Sequence, residues 1–271
     1  MRTGSGLLAL VGVVVAAGCG SGADEGLSAP DRDRVAVLGQ GLAMAQGVVA
    51  LTGGFLGNGD VLDPGVTTTE NAQAIADEAE RAASCVVATA VGGGVSVTFD
   101  PGCTVNGVAV SGAGTLTVQK PAADTIAVRV ELANLTVGGL GPFTGTVTFT
   151  ASPGAAGLAV TLDLDTASFS VTGPLTLTAR EGSLTLDGAL TATGGAAPDG
   201  VTASIVGVTF TPGACYPYAG SLTLAGGVAL GFLTTTPADG EVAVTKGRFS
   251  GTAALPAYGA CPPAAPAAPS P

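Results

Sequence analysis

A mainly β fold built from antiparallel hairpins is what this 271-residue sequence predicts, on three observations. From Val86 onward apolar residues occupy alternate positions for roughly 170 residues, the period of a sheet with one buried face. Leu158, Val160, Leu162 and Leu164 share one face, and Ala159, Thr161, Asp163 and Asp165 the other; Ile126 to Ala133 repeats the pattern. Short units also recur. IAVRVEL at Ile126 and LAVTLDL at Leu158 align, and Gly114-Thr-Leu-Thr returns as Gly145-Thr-Val-Thr, Gly182-Ser-Leu-Thr and Gly220-Ser-Leu-Thr. Finally, 44 glycines supply the punctuation that hairpins need.

Taken in order, the chain opens on an apolar run from Leu7 to Ala17, behind Arg2. It suits the core of a signal peptide and is far shorter than the roughly 20 residues of a membrane span. Ala16-Ala17-Gly18-Cys19 resembles the lipobox of bacterial lipoproteins, with Ala where Leu is commoner. That resemblance implies removal of residues 1–18, acylation of Cys19 and anchoring by two or three acyl chains. Gly20, which is not acidic, leans the sorting toward the outer membrane. Residues 19–31 read as a small, polar tether.

Residues 32–84 read as a helical segment. Val35, Leu38, Leu42, Ala45 and Val49 predict a helix over Val35 to Leu51. No charge lies between Val35 and Gly59, yet interspersed glycines, Gln40 and Gln46 favour a buried or amphipathic helix over a second membrane span. Asn58-Gly59-Asp60 carries oxygen ligands without calcium-loop spacing and reads as a turn. A second helix is signalled by Thr67 and Glu70, a capping box, with Ala72, Ile75, Ala76, Ala79 and Ala83 as its apolar stripe and an Asp77–Arg81 pair. Its cluster of Asp77, Glu78 and Glu80 reads as a solvated face.

Residues 85–262 form the β-hairpin-repeat domain. About fifteen strands, at roughly 4.8 Å each, would make a sheet some 70 Å wide, whereas a sixteen-residue helix spans about 24 Å. Two short helices cannot cover it. The sheet must curl into a sandwich, a clam or a flattened barrel; the alternative is a β-solenoid. Strands of five to eight residues and the lack of Trp argue against an outer-membrane barrel. Residues 263–271 are a Pro- and Ala-rich tail expected to be disordered.

Cys85, Cys103, Cys215 and Cys261 remain once Cys19 is set aside, an even number that fits two disulfides in an exported chain. A three-residue loop of Gly92-Gly93-Gly94 would pair Val91 with Val95 and set Cys85 opposite Pro101, two residues from Cys103. Cys85–Cys103 is thus the expected bridge, with Cys215–Cys261 left by elimination. The segment VSVTFDPGC at Val95 returns as VGVTFTPGAC at Val206. Over residues 67–150 the chain resembles a group of poorly characterised β-repeat lipoproteins of Gram-negative bacteria, in which lipobox, acidic helix, Cys-led strand and a VTFDPGC…GxLTV hairpin follow in order. The resemblance implies architecture and compartment, and no activity.

Chemistry is sparse. The chain has no histidine, so Ser-His-Asp and Cys-His nucleophiles and histidine metal sites are excluded, and no metal or other cofactor is expected. Asp163 with Asp165 could form a carboxylate pair, but they share a face with Thr and read as solvated surface. Loss of Arg2 with the leader leaves 8 basic against 20 acidic side chains, a net of −12, which excludes nucleic acid as a partner. The expectation is a lipid-anchored cell-envelope protein, on the periplasmic or surface side of the outer membrane, with a structural or binding role and no enzymatic one. Its partners would be the membrane, through acylated Cys19, and an apolar ligand or an envelope protein. Two alternatives stand beside it: a carrier of lipid or another apolar ligand within a curved sheet, and a carboxylate-based envelope hydrolase.

Overall fold

The computed structural model describes residues 27–56, 61–180, 182–211, 214 and 216–255. Two helices come first, α1 (Ala29–Phe55) and α2 (Thr68–Ala82). Then follow β1 (Val86–Val91), β2 (Gly94–Phe99), β3 (Thr104–Val105), β4 (Val108–Ala122), β5 (Thr125–Val137), β6 (Leu140–Ala151) and β7 (Leu158–Asp165). The chain continues through β8 (Phe169–Arg180), β9 (Ser183–Gly194), β10 (Ala197–Phe210), β11 (Ala219–Leu224) and β12 (Val228–Phe232). A single turn, α3 (Thr236–Asp239), precedes β13 (Glu241–Lys246) and β14 (Phe249–Ala254).

These strands form one antiparallel meander in chain order, except that β3 is a short flap on β4, so that β2 pairs β4 directly. The sheet does not close: β1 and β14 are its two edges. The predicted antiparallel hairpin sheet is what forms. Alternation sets which face is buried, as in β7, where Leu158, Val160, Leu162 and Leu164 are buried and the residues between them exposed. All apolar faces turn inward onto one continuous core. The outward face carries threonines and charges.

Several strands are longer than the five to eight residues expected from sequence. β4 has 15 residues, β5 13 and β10 14. Breaks in the alternation that looked like strand ends are register shifts inside continuous strands, for example between Leu132 and Leu135 of β5 and between Ile205 and Val208 of β10. Such irregularities bend a sheet and increase its twist, which is how this one curls. Strand length therefore no longer bears on a membrane barrel; the polar outer face does, since lipid would demand the reverse.

The first helix also exceeds its expected span. It begins at Ala29, inside the stretch read as tether, because Ser28 caps it and Pro30 sits in its first turn, where no intrahelical donor is needed. Nor is it short. Eighteen of its 27 residues are buried, and every residue from Gly41 to Val49 is, so more than two turns are enclosed on all sides. No single stripe faces the core, and this explains why a helical period was only weakly marked in the sequence. Gly41 packs against β9 so closely that a Cβ there would lie 2.7 Å from the Ala192 Cβ.

The second helix follows its signals. Glu70 N–H donates to Thr67 Oγ1 at 3.2 Å and Thr67 N–H to Glu70 Oε2 at 2.8 Å, completing the capping box. Ala72, Ile75, Ala76 and Ala79 are buried as expected, while Ala83 is the C-cap and lies outside the helix. The expected Asp77–Arg81 pair does not form: Arg81 pairs with Glu78, and Asp77 accepts from Gln73 Nε2 at 2.8 Å. Glu80 accepts the Ala88 N–H of β1 at 3.4 Å, so α2 covers that open edge of the sheet.

Candidate functional site

The concave side of the curled sheet is apolar, and α1 lies in it. Its first half packs on β8, β9 and β10: Gly41 lies beside Val171, Leu190 and Ala192. Its last turns reach β2, β4 and β5, where Phe55 stacks on Phe99 with ring centres 6.2 Å apart. A void of about 20 Å³ remains there, between Leu51, Thr52 and Phe55 of the helix and Val97, Leu116 and Val130 of the sheet. That is room for about one water and for no ligand.

Polar ties of Asp31 and Gln46 help to hold α1 in place. At its start, Lys246 Nζ at the end of β13 donates to Asp31 Oδ2 at 2.5 Å, and Ser28 Oγ donates to the same oxygen at 2.6 Å. Asp31 is buried and Lys246 partly exposed. The hydrogen bond from Lys246 and then that from Ser28 hold the Asp31 carboxyl below its ordinary value, against a smaller opposing effect of burial. Midway, Gln46 Nε2 donates to the Ala214 carbonyl at 3.3 Å. Nearby Tyr216 is buried, which pushes its phenol up. Sequence reasoning missed Asp31 and Lys246, 215 positions apart, because nothing local links them.

The convex side is a hydroxyl-rich lattice. Antiparallel register aligns Thr89, Ser96, Thr115, Glu131, Thr146, Asp163, Thr172, Thr191 and Thr202 in one row across nine strands. Thr191 and Thr202 hydroxyls meet at 2.9 Å. Asp163 and Asp165 both stand exposed on this face, between threonines of β6 and Thr172 and Ser170 of β8. Among the described residues their cross-strand partners are threonines and a serine, neither acid nor cation. Among the described residues no group of three His, Cys, Asp or Glu is placed to hold a metal ion.

Cys85 and Cys103 form a disulfide with Cα atoms 5.3 Å apart, the expected bridge. The register leading to it is shifted by one from expectation. Val91 pairs with Gly94 across a two-residue Gly92-Gly93 turn, which sets Cys85 beside Asp100 in place of Pro101. Two residues suffice because hairpin turns of that length match strand twist. Cys19, Cys215 and Cys261 lie outside the described residues, as do Asn58, Gly59 and Asp60.

The four Gly-x-Leu-Thr units are not structurally equivalent. Gly145 and Gly220 have φ of 115° and 99° at kinks within or opening strands, Gly182 lies in the β8–β9 turn, and Gly114 is ordinary strand. The repeat is one of hairpin chemistry, and not of superimposable modules. No family model matches the chain, and no curated protein or solved structure matches it either.

Proposed function

We propose that this chain is a lipid-anchored β protein of the bacterial cell envelope, akin to the β-repeat lipoproteins it resembles, with a structural or binding role exerted from its outer face and without enzymatic activity. The supporting observation is that its own helix α1 fills the concave side, which leaves the convex hydroxyl lattice as the extended surface a partner can meet. The Cys85–Cys103 bridge fits an oxidising compartment outside the cytoplasm. Acylated Cys19 would hold the body at the membrane, on the outer-membrane side of export. Mass spectrometry of the N-terminal peptide tests this: Cys19 should begin the mature chain and carry acyl groups, and Cys19→Ser should release the protein to the soluble fraction. A mature chain that retains Met1 would refute it.

A second reading, the carrier of a lipid or other apolar ligand, is favoured by one observation. The sheet is unclosed, so its concave face is a trough and not a sealed barrel. Extraction of protein purified without detergent should then recover lipid. The carboxylate hydrolase has less support, because Asp163 and Asp165 are both exposed, flanked across the strands by threonines and a serine.

A further inference from the structure

The two edges of the sheet are managed differently. Antiparallel pairing turns the backbone groups of alternate residues toward the neighbouring strand and those of the residues between them away from it. On β1 the residues turned outward are Val86, Ala88 and Ala90, because the Cys85 carbonyl, just ahead of the strand, accepts from Asp100 on the β2 side at 2.9 Å. Here α2 and its C-cap intervene: Val86 N–H donates to the Ala83 carbonyl at 3.0 Å, and Ala88 N–H to Glu80. On β14 the groups turned outward belong to Ser250, Thr252 and Ala254. Leu255 N–H points the other way, to the Gly240 carbonyl at 2.8 Å, and Phe249, Gly251 and Ala253 share its phase. Ser250, Thr252 and Ala254 are exposed, and among the described residues nothing accepts from their N–H groups. Nor does the strand, FSGTAA, contain the lysine, proline or inward charge that blunts an edge. Its inner face is half finished as well, since Phe249 and Ala253 pack on the core yet are only partly covered.

We propose that β14 is a self-pairing edge, to which a second copy of this chain adds its own β14 antiparallel, about a two-fold axis at Thr252. Thr252 then lies opposite Thr252 of the second copy, Ser250 opposite its Ala254, Gly251 opposite its Ala253 and Phe249 opposite its Leu255. The outward backbone groups satisfy one another, threonine meets threonine on the outer face, and the half-covered Phe249 ring meets a leucine on the inner one. Charge selects this orientation. The β13–β14 hairpin carries Arg248 in its turn and Asp239 and Glu241 at its other end, and the strand between them spans roughly 17 Å, too far for pairing within one copy. Antiparallel addition sets the cationic end of each copy beside the acidic end of the other, whereas parallel addition would set like beside like. A two-fold axis closes after two copies, and α2 guards β1 against further addition. The outer faces of the two copies become one continuous surface, an outcome independent of the acyl anchor and of the carrier reading.

Disulfide mapping on the full-length protein tests the register, because hydrogen-bonded partners have Cα atoms about 5.5 Å apart, inside the range for a bridge. Purified Thr252→Cys is oxidised and digested with chymotrypsin, which cuts at Tyr258 and so separates position 252 from Cys261, and the linked peptides are identified by mass spectrometry. Position 252 should be joined to position 252 of a second chain. When Ser250→Cys and Ala254→Cys are coexpressed, 250 should be joined to 254, and in Ser250→Cys alone 250 should not be joined to 250. Absence of the 252 link overturns the proposal, and a link of 250 to 250 overturns it too, since that would mean parallel strands. Charge supplies an independent readout. Arg248→Glu should lower the yield of the 252 link severalfold, and Glu241→Arg added to it should restore the yield; equal yields in all three, or no restoration, refute the antiparallel arrangement.

Discussion

At Gly145 a methyl group has no space: a Cβ there would lie 2.1 Å from the Asp163 carbonyl oxygen of β7, at a φ of 115° that L side chains rarely adopt. Gly145→Ala therefore combines backbone strain with a clash against backbone that cannot rotate away. A loss of about 2–4 kcal/mol is expected, read from the urea midpoint. Asp31 makes a different kind of contribution. Its carboxyl is held low by Lys246 and Ser28, so the unfolded chain binds its proton more readily than the folded one. The stability gained is fully present above the ordinary aspartate value of about 3.9 and is lost as pH falls through the lower folded value. Asp31→Asn should be less stable than the parent at pH 7 by about 1–2 kcal/mol, and the two should converge in acid. A gap unchanged by acid would mean that the carboxylate charge plays no part.

Among the elements, α1 carries the most consequence for its length. Its packing on β9 depends on a missing side chain, since Gly41 meets Ala192 at near contact. Gly41→Val should push the helix off the sheet and cost about 1–3 kcal/mol despite the poor helix propensity of glycine, as thermal unfolding will show. An unchanged or raised Tm would mean that the helix is less closely seated. The neighbouring α2 does simpler work: its alanine stripe lets it lie close to β1, and Glu80 caps that strand's outer edge. Both helix starts were legible to different degrees. Thr67 and Glu70 announce the second outright, because both halves of the capping box are local. The true start of the first was hidden, since Ser28 and Pro30 lie in a stretch whose small residues also suit a tether.

At the scale of the whole molecule, one core joins α1 to the strands. In water without lipid, α1 and the central strands should therefore unfold together. Hydrogen exchange should show amides of Leu42 to Val49 opening at the same free energy as those of β7 and β8, near the global value. Markedly faster exchange in α1 would mean that the helix is a peripheral element. The curl around α1 accounts for what was and was not readable. Faces came from alternation, because period two assigns each side chain to a side irrespective of context. Strand lengths did not, because a register shift and a strand end interrupt alternation in the same way. The hairpin at Cys85 was recognisable, but its register was off by one, since three glycines in a row do not say which of them turns.

Read alone, the residues determined an antiparallel β body with an apolar inner face, a helix of uncharged residues ahead of it, and the Cys85–Cys103 bridge, all of which depend on spacing along the chain. Tertiary structure decided that α1 occupies the inside of the curl, that Lys246 reaches back to Asp31, and that Asp163 and Asp165 face outward amid threonines. Those outcomes depend on how far register shifts bend the sheet and on which distant surfaces then meet. No local pattern encodes them, because curvature accumulates over many strands while each residue senses only its neighbours.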